Sequence, residues 1–313
     1  TSSTIWGVEP VSVLACQNPW PPSATPFKDS QSSKNFSAGD PFFKGPFYNF
    51  STMYCRDAGK PDDKDDDLPS LTINQIPPTL LDYSQGILRQ YLFSYPDESK
   101  IPAVYQGQGL KQDGIGIRII ANPQHLSPEE WYASRGFRGS PKPRLVDGYP
   151  AIEEGTTVYV AATNRPGGDS GGIYSNIYVL SHNPDAKPIT RQIATQLIKY
   201  LAFNINPEFT KQTNVCVQGT TKSTRVVYTN PEVNGGVPIH CLADWECLNL
   251  DSSLHCDSTK AKLIRDTLRV ADFQLLSSIF ESKKDTLGKY PLLSGGTYLQ
   301  TLTNSLWPSW QKE

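Results

Sequence analysis

Thr156-Thr157-Val158-Tyr159-Val160-Ala161-Ala162 and Ile173-Tyr174-Ser175-Asn176-Ile177-Tyr178-Val179-Leu180 are two β-rich runs joined by a glycine-rich connection. Branched and aromatic side chains fit a pleated, half-buried surface, so the pair reads as a hairpin. Upstream, Gly114-Ile115-Gly116-Ile117-Arg118-Ile119-Ile120 alternates with the period of a strand. Ser127-Pro128-Glu129-Glu130 opens a helix: Ser127 caps it, Pro128 takes the first turn, and Glu130 completes a capping box. That start turns Trp131 and Tyr132 toward the sheet. From Thr190 to Phe203, Ile193, Ala194, Leu197, Ile198 and Leu201 recur at helical spacing with one face to bury. Leu80 to Phe93 suggests another helix, interrupted near Gly86. The order strand, helix, three strands, helix predicts an α+β fold, an antiparallel sheet with packed helices.

Working outward, four segments emerge. Residues 1–70 predict an irregular aromatic and proline-rich wrap, since pieces such as Asn18-Pro19-Trp20-Pro21-Pro22 and Pro41-Phe42-Phe43-Lys44-Gly45-Pro46-Phe47 cannot be helix interior. Residues 71–206 hold the sheet domain. Residues 207–256 form a cysteine-rich connector with Asn-Pro, Asn-Gly-Gly and Val-Pro turn signals. Residues 257–313 form a helical module. Its helix is expected over 257–287, with Asp257 and Ser258 as caps and Leu263, Leu268, Ala271, Leu275, Leu276 and Ile279 as the apolar stripe. Gly288 ends it and Pro291 prevents continuation.

Cysteines stand at 16, 55, 216, 241, 247 and 256. An even number, two early and four late, predicts Cys16–Cys55 and two bridges among Cys216, Cys241, Cys247 and Cys256. The zinc alternative wants close Cys pairs, and Cys241 and Cys247 are too far apart for a usual knuckle. Disulfides place the chain in an oxidising compartment, extracellular or at the cell surface. A net charge of −2 gives no basic field for nucleic acid. No apolar run of about 18 residues exists to span a membrane. The start at Thr1 predicts a removed signal segment or a piece of something longer, and the end at Glu313 a cut within a module.

Arg265-Asp266-Thr267-Leu268-Arg269-Val270-Ala271-Asp272-Phe273, followed by Thr286-Leu287-Gly288-Lys289-Tyr290-Pro291, resembles the soluble half of the first helix of type IV pilins and pseudopilins. Leu287 stands where those proteins carry Asn, and their apolar anchoring half is missing. The resemblance covers 257–310 and implies a pilin-like helix used as a module. The order of elements over 71–206 resembles PsbP/Mog1-like domains, most of which bind or assemble. Cys16-Gln17-Asn18-Pro19-Trp20-Pro21, Tyr54-Cys55-Arg56-Asp57-Ala58-Gly59, Val146-Asp147-Gly148-Tyr149 and Leu306-Trp307-Pro308-Ser309-Trp310 resemble large secreted surface proteins of candidate-phylum bacteria. That likeness implies a cell-surface location and modularity, and brings no activity with it.

Several strings could carry chemistry. Gly167-Gly168-Asp169-Ser170-Gly171-Gly172 matches the surroundings of the nucleophile in chymotrypsin-like proteases. Those enzymes need an upstream His, in an Ala-Ala-His-Cys context, and an Asp to orient it. His125 is the only upstream histidine and lies in Pro-Gln-His-Leu-Ser-Pro; His182, His240 and His255 follow the serine. The string therefore reads as a hairpin tip. His240 and His255 precede Cys241 and Cys256 and read as connector residues rather than zinc ligands. Glu129, Glu130, Glu153 and Glu154 are explained by a helix start and a turn rather than by a glycosidase pair. No catalytic residue is expected.

Asp57, Asp62, Asp63, Asp65, Asp66 and Asp67 form an acidic loop that could take calcium, although the spacing is not that of an EF-hand. Asn35-Phe36-Ser37 and Asn49-Phe50-Ser51 satisfy the glycosylation rule. Trp20, Phe42, Phe43, Phe47 and Tyr48 could stack on sugars or pack onto the sheet. The sequence thus predicts a non-catalytic structural module of a surface layer, filament or appendage, with self-association or other surface proteins as partners. The alternative is an adhesion or carbohydrate-binding module with glycans as partners.

Overall fold

A computed structural model describes residues 16, 18–22, 26–31, 48–57, 67–76, 86–165, 173–204, 214–220, 223–226, 238–241, 243–284 and 288. Along the chain run β1 (Pro19–Trp20), β2 (Phe27–Gln31), β3 (Tyr48–Thr52), β4 (Tyr54–Cys55), β5 (Thr72–Gln75), β6 (Ile87–Ser94) and β7 (Gly114–Ala121). Next come α1 (Pro128–Ser134), β8 (Lys142–Val146), β9 (Tyr149–Glu154), β10 (Thr157–Asn164), β11 (Tyr174–His182), α2 (Pro188–Lys199) and β12 (Ala202–Phe203). Last are β13 (Val215–Thr220), β14 (Ser223–Val226), α3 (Asp244–Leu248), β15 (Leu254–Asp257) and α4 (Thr259–Ser282).

The predicted hairpin sits at the heart of a seven-stranded sheet ordered β5-β6-β7-β11-β10-β9-β8. Its register runs from Thr157 opposite Ser181 to Asn164 opposite Tyr174. Every pairing in this sheet is antiparallel. With period-two alternation, Val158, Val160 and Ala162 of β10 face one side with Tyr178 and Leu180 of β11, while Ala161 and Ile177 face the other. The first side is closed by α2 and by a three-stranded sheet, β12-β3-β2. Rings from both layers interlock there: Phe50 lies 5.8 Å from Tyr178, Phe203 lies 4.5 Å from Tyr178, and Phe27 lies 5.3 Å from Tyr91. The second side is partly covered by α1. Its Ser127–Glu130 capping box forms as expected, and Trp131 and Tyr132 are buried near Tyr159.

Three expectations require correction. Part of the 1–70 wrap is regular: β2 and β3 pair from Phe27 opposite Thr52 to Gln31 opposite Tyr48. Pro density hid a run, Tyr48 to Thr52, that is buried throughout. The helix expected from Leu80 to Phe93 is strand β6 from Ile87 onward, and positions 80–85 lie outside the described residues. Ile87, Leu88, Tyr91 and Leu92 fit helical spacing, but pairing with β7 sends Tyr91 and Phe93 into the core and leaves Leu92 exposed. Finally, α4 stops at Ser282 rather than 287, and of the expected stripe only Leu263 is buried; Leu268, Ala271 and Leu276 are half-buried, Leu275 and Ile279 are exposed, and the helix buries Ala261, Ile264 and Thr267 beside Leu263 instead.

The connector carries the two expected staples, and its described residues also form a small sheet that the turn signals did not predict, β14-β13-β15. Cys16–Cys55, Cys216–Cys247 and Cys241–Cys256 are bonded. One buried cluster draws on all four segments, from Trp20 and Tyr48 through the sheet to Ala243 and Ile264. Among the described residues, no helix is long and apolar enough to cross a membrane.

Candidate functional site

A polar junction lies where α4 docks on the rim of the large sheet. Asp147 and Gly148 form the two-residue turn between β8 and β9, with Val146 opposite Tyr149. Both have positive φ, 53° and 80°, as the tight hairpin turn of this length requires. A Cβ at Gly148 would lie 2.8 Å from Ile264 Cδ1 and 3.0 Å from Ala243 Cβ. The missing side chain therefore lets α3 and α4 approach the turn closely.

Asp147 Oδ1 pairs with Lys260 Nζ, and Asp147 Oδ2 accepts a hydrogen bond from Phe203 N at 2.8 Å. The Asp147 and Lys260 side chains are only 17% and 13% exposed. Desolvation raises the Asp147 pKa above the usual carboxylate value, against the opposing pull of Lys260 and of the Phe203 N–H. Lys260 is placed by the start of α4, where Ser258 Oγ accepts from Ala261 N at 3.0 Å. Farther along, Thr267 bonds Thr163 of β10 at 2.5 Å. Asp244 of α3 accepts from Arg265 at 2.8 Å and from Cys256 N at 2.8 Å. The stapled connector and the helix thus grip each other and the sheet.

Beyond this grip α4 changes character. Phe273, Leu275, Ile279 and Phe280 are 53%, 43%, 41% and 49% exposed. Leu275 and Ile279 continue the line of Ile264 and Leu268 along the helix; Ile264 belongs to the buried core cluster and Leu268 packs against it.

The other sequence candidates fall in varied places. His125 Nδ1 lies 2.8 Å from Ser175 Oγ, and its backbone is held at φ 52°. Burial lowers its pKa, so the neutral imidazole is favoured. Gly167 to Gly172, including Ser170, lie outside the described residues. Glu130 serves the cap, and Glu153 pairs at the surface with Arg144 at 2.7 Å. His240 lies across from Val215 and His255 across from Val217 on the stapled strands. Their neighbours Cys241 and Cys256 are bonded to each other, so neither offers a thiolate to a metal.

Of the acidic loop, Asp62, Asp63, Asp65 and Asp66 lie outside the described residues. Asp67 is buried and accepts from Asn18, and Asp57 touches the Cys16–Cys55 disulfide. Asn35 lies outside the described residues. Asn49 is a correction: it is 1% exposed within β3, with its N–H on Asn164 Oδ1 and its carbonyl on Asn204 N, so no glycan fits there. Two sugar-stacking candidates are likewise interior. Trp20 is buried and donates to Leu71 O, and Tyr48 is buried and donates to Asp29. Phe42, Phe43 and Phe47 lie outside the described residues.

The Asp147 junction escaped sequence reading. An Asp-Gly dipeptide between Leu145-Val146 and Tyr149 is a strong hairpin signal and could have located the turn. Nothing local could have paired it with Lys260. No protein-family model, no curated protein and no solved structure matches this chain.

Proposed function

We propose that the chain is a non-catalytic building block of an extracellular assembly, a surface layer, filament or appendage, that joins copies of itself through the distal half of α4. The observation that carries this reading is the exposure of Leu275 and Ile279 on a helix whose first half is firmly anchored. An anchored helix projecting apolar side chains offers a rigid knob at low ordering cost. The three disulfides support an exterior setting, since such bonds persist in oxidising compartments. The likeness of 265–273 to pilin helices points the same way, because those helices are assembly elements.

Sedimentation and electron microscopy of the native chain, with and without calcium, test the proposal. The expected result is concentration-dependent oligomers or fibres that disappear in Leu275→Asp/Ile279→Asp. A strictly monomeric chain at high concentration would overturn it.

A further inference from the structure

We propose that Asp147 and Lys260 become joined by an isopeptide bond, an amide between Lys260 Nζ and Asp147 Cγ. This covalent site is independent of how copies assemble. The two groups are in contact, both side chains are largely enclosed, and they are 113 residues apart in sequence. Neither can easily turn away. Asp147 sits in a two-residue turn at φ 53°, and Lys260 lies in the first turn of a capped helix. Ile264 and Ala243 close over the neighbouring Gly148, which keeps the approach tight.

The chemistry needs a free amine and an uncharged acid. Desolvation already favours the uncharged form of Asp147. Within the contact, the ammonium passes one proton to Oδ1. The Nζ lone pair then attacks Cγ, and the carbonyl π electrons move onto Oδ2. That oxygen is held by the Phe203 N–H at 2.8 Å, which stabilises the developing negative charge. Nζ gives a second proton to Oδ1, the Cγ–Oδ1 bond breaks, and water leaves as the Oδ2 electrons restore the carbonyl. Carboxylate plus ammonium becomes amide plus water, with no oxidant, reductant or other reactant.

Two effects drive the condensation forward. Holding the partners together gives effective molarities on the order of 10⁵ M or more, which offsets the tendency of amides to hydrolyse in dilute solution. The amide also removes an ion pair from a poorly solvated site, and removes a cation from a helix N-terminus, where the dipole disfavours it. The product would tie the sheet rim to α4 with a bond that reductants cannot open, unlike the three disulfides.

Intact-mass measurement of the purified full chain, completely reduced and unfolded, tests this. The expected mass is one water below that of the sequence, and proteolysis should yield one linked peptide pair containing Asp147 and Lys260. Lys260→Arg and Asp147→Ala should each restore the full mass and abolish the linked pair. A wild-type chain at its full sequence mass overturns the proposal. So does a water loss that persists in Lys260→Arg, which would mark a cyclic imide at Asp147-Gly148.

Discussion

Asp113 caps a helix that begins more than seventy residues after it: Asp113 Oδ2 accepts from Thr190 Oγ1 at 2.6 Å and from Lys187 N at 2.8 Å. Lys187 occupies the N-cap of α2, and its own side chain makes no capping bond there. The borrowed carboxylate binds the N-cap's own N–H, as the third-position side chain of a capping box does, and suits the positive end of the helix dipole. Tyr95 completes the group, 2.9 Å from Thr190 Oγ1, with its pKa pushed up to about 12, mainly by burial.

Removing this borrowed cap should behave like removing a local one. Asp113→Ala is expected to cost about 1–2 kcal/mol of stability, and Asp113→Asn, which keeps an acceptor, clearly less. Denaturant midpoints measure both. Equal losses would show that the capping bond is not what matters.

Gly148→Ala is expected to be costly for two reasons. The backbone is left-handed at φ 80°, and the new methyl would press on Ile264 and Ala243. A loss of roughly 1–3 kcal/mol follows from overpacking of this kind. Thermal unfolding measures it. Gly155→Ala makes a useful control, with φ 59° and nothing near its Cβ. If the two variants lose the same stability, backbone strain accounts for the effect and the α3/α4 contact does not.

His125 gives a pH signature. Burial makes the folded ring harder to protonate than the unfolded one. Its contribution is therefore full above the unfolded value of about 6.5 and is lost as pH falls from there through the lower folded value. Unfolding free energies at about pH 7.5 and about pH 5 should fall more steeply in the wild type than in His125→Gln. Parallel curves would remove His125 from the acid sensitivity.

The staples should differ by loop length. Cys216–Cys247 spans 31 residues and Cys241–Cys256 spans 15. Replacing the first pair with Ala is expected to cost about 3–4 kcal/mol and the second about 3 kcal/mol. Hydrogen exchange should show β13 and β15 opening first while β7, β10 and β11 stay protected. Simultaneous loss of protection everywhere would mean that the stapled sheet and the large sheet unfold as one unit.

The large sheet was legible because its pattern is local. Alternation in Gly114–Ile120 and in the runs around Val158 and Ile177, and the cap at Ser127, each specify an element from neighbours along the chain. β6 was misread because Ile87 to Phe93 satisfies two periods at once, and only a partner strand chooses between them. The Asn49 sequon was misjudged because three residues carry no information about burial.

By itself, the sequence determined the central hairpin, the α1 cap, the helical character of α2 and α4, and the grouping of cysteines into an early pair and a late four. These follow from periodicity, turn chemistry and counting, which act over a few residues or ignore distance altogether. Only the tertiary structure decided that Asp113 reaches the start of α2, that Asp147 meets Lys260, that Cys216 takes Cys247 rather than Cys241, and that Leu263 and Ile264 of α4 are buried while Leu275 and Ile279 are exposed. Each depends on which distant surfaces meet when the core closes, and a charge or an apolar stripe in the sequence does not name its partner.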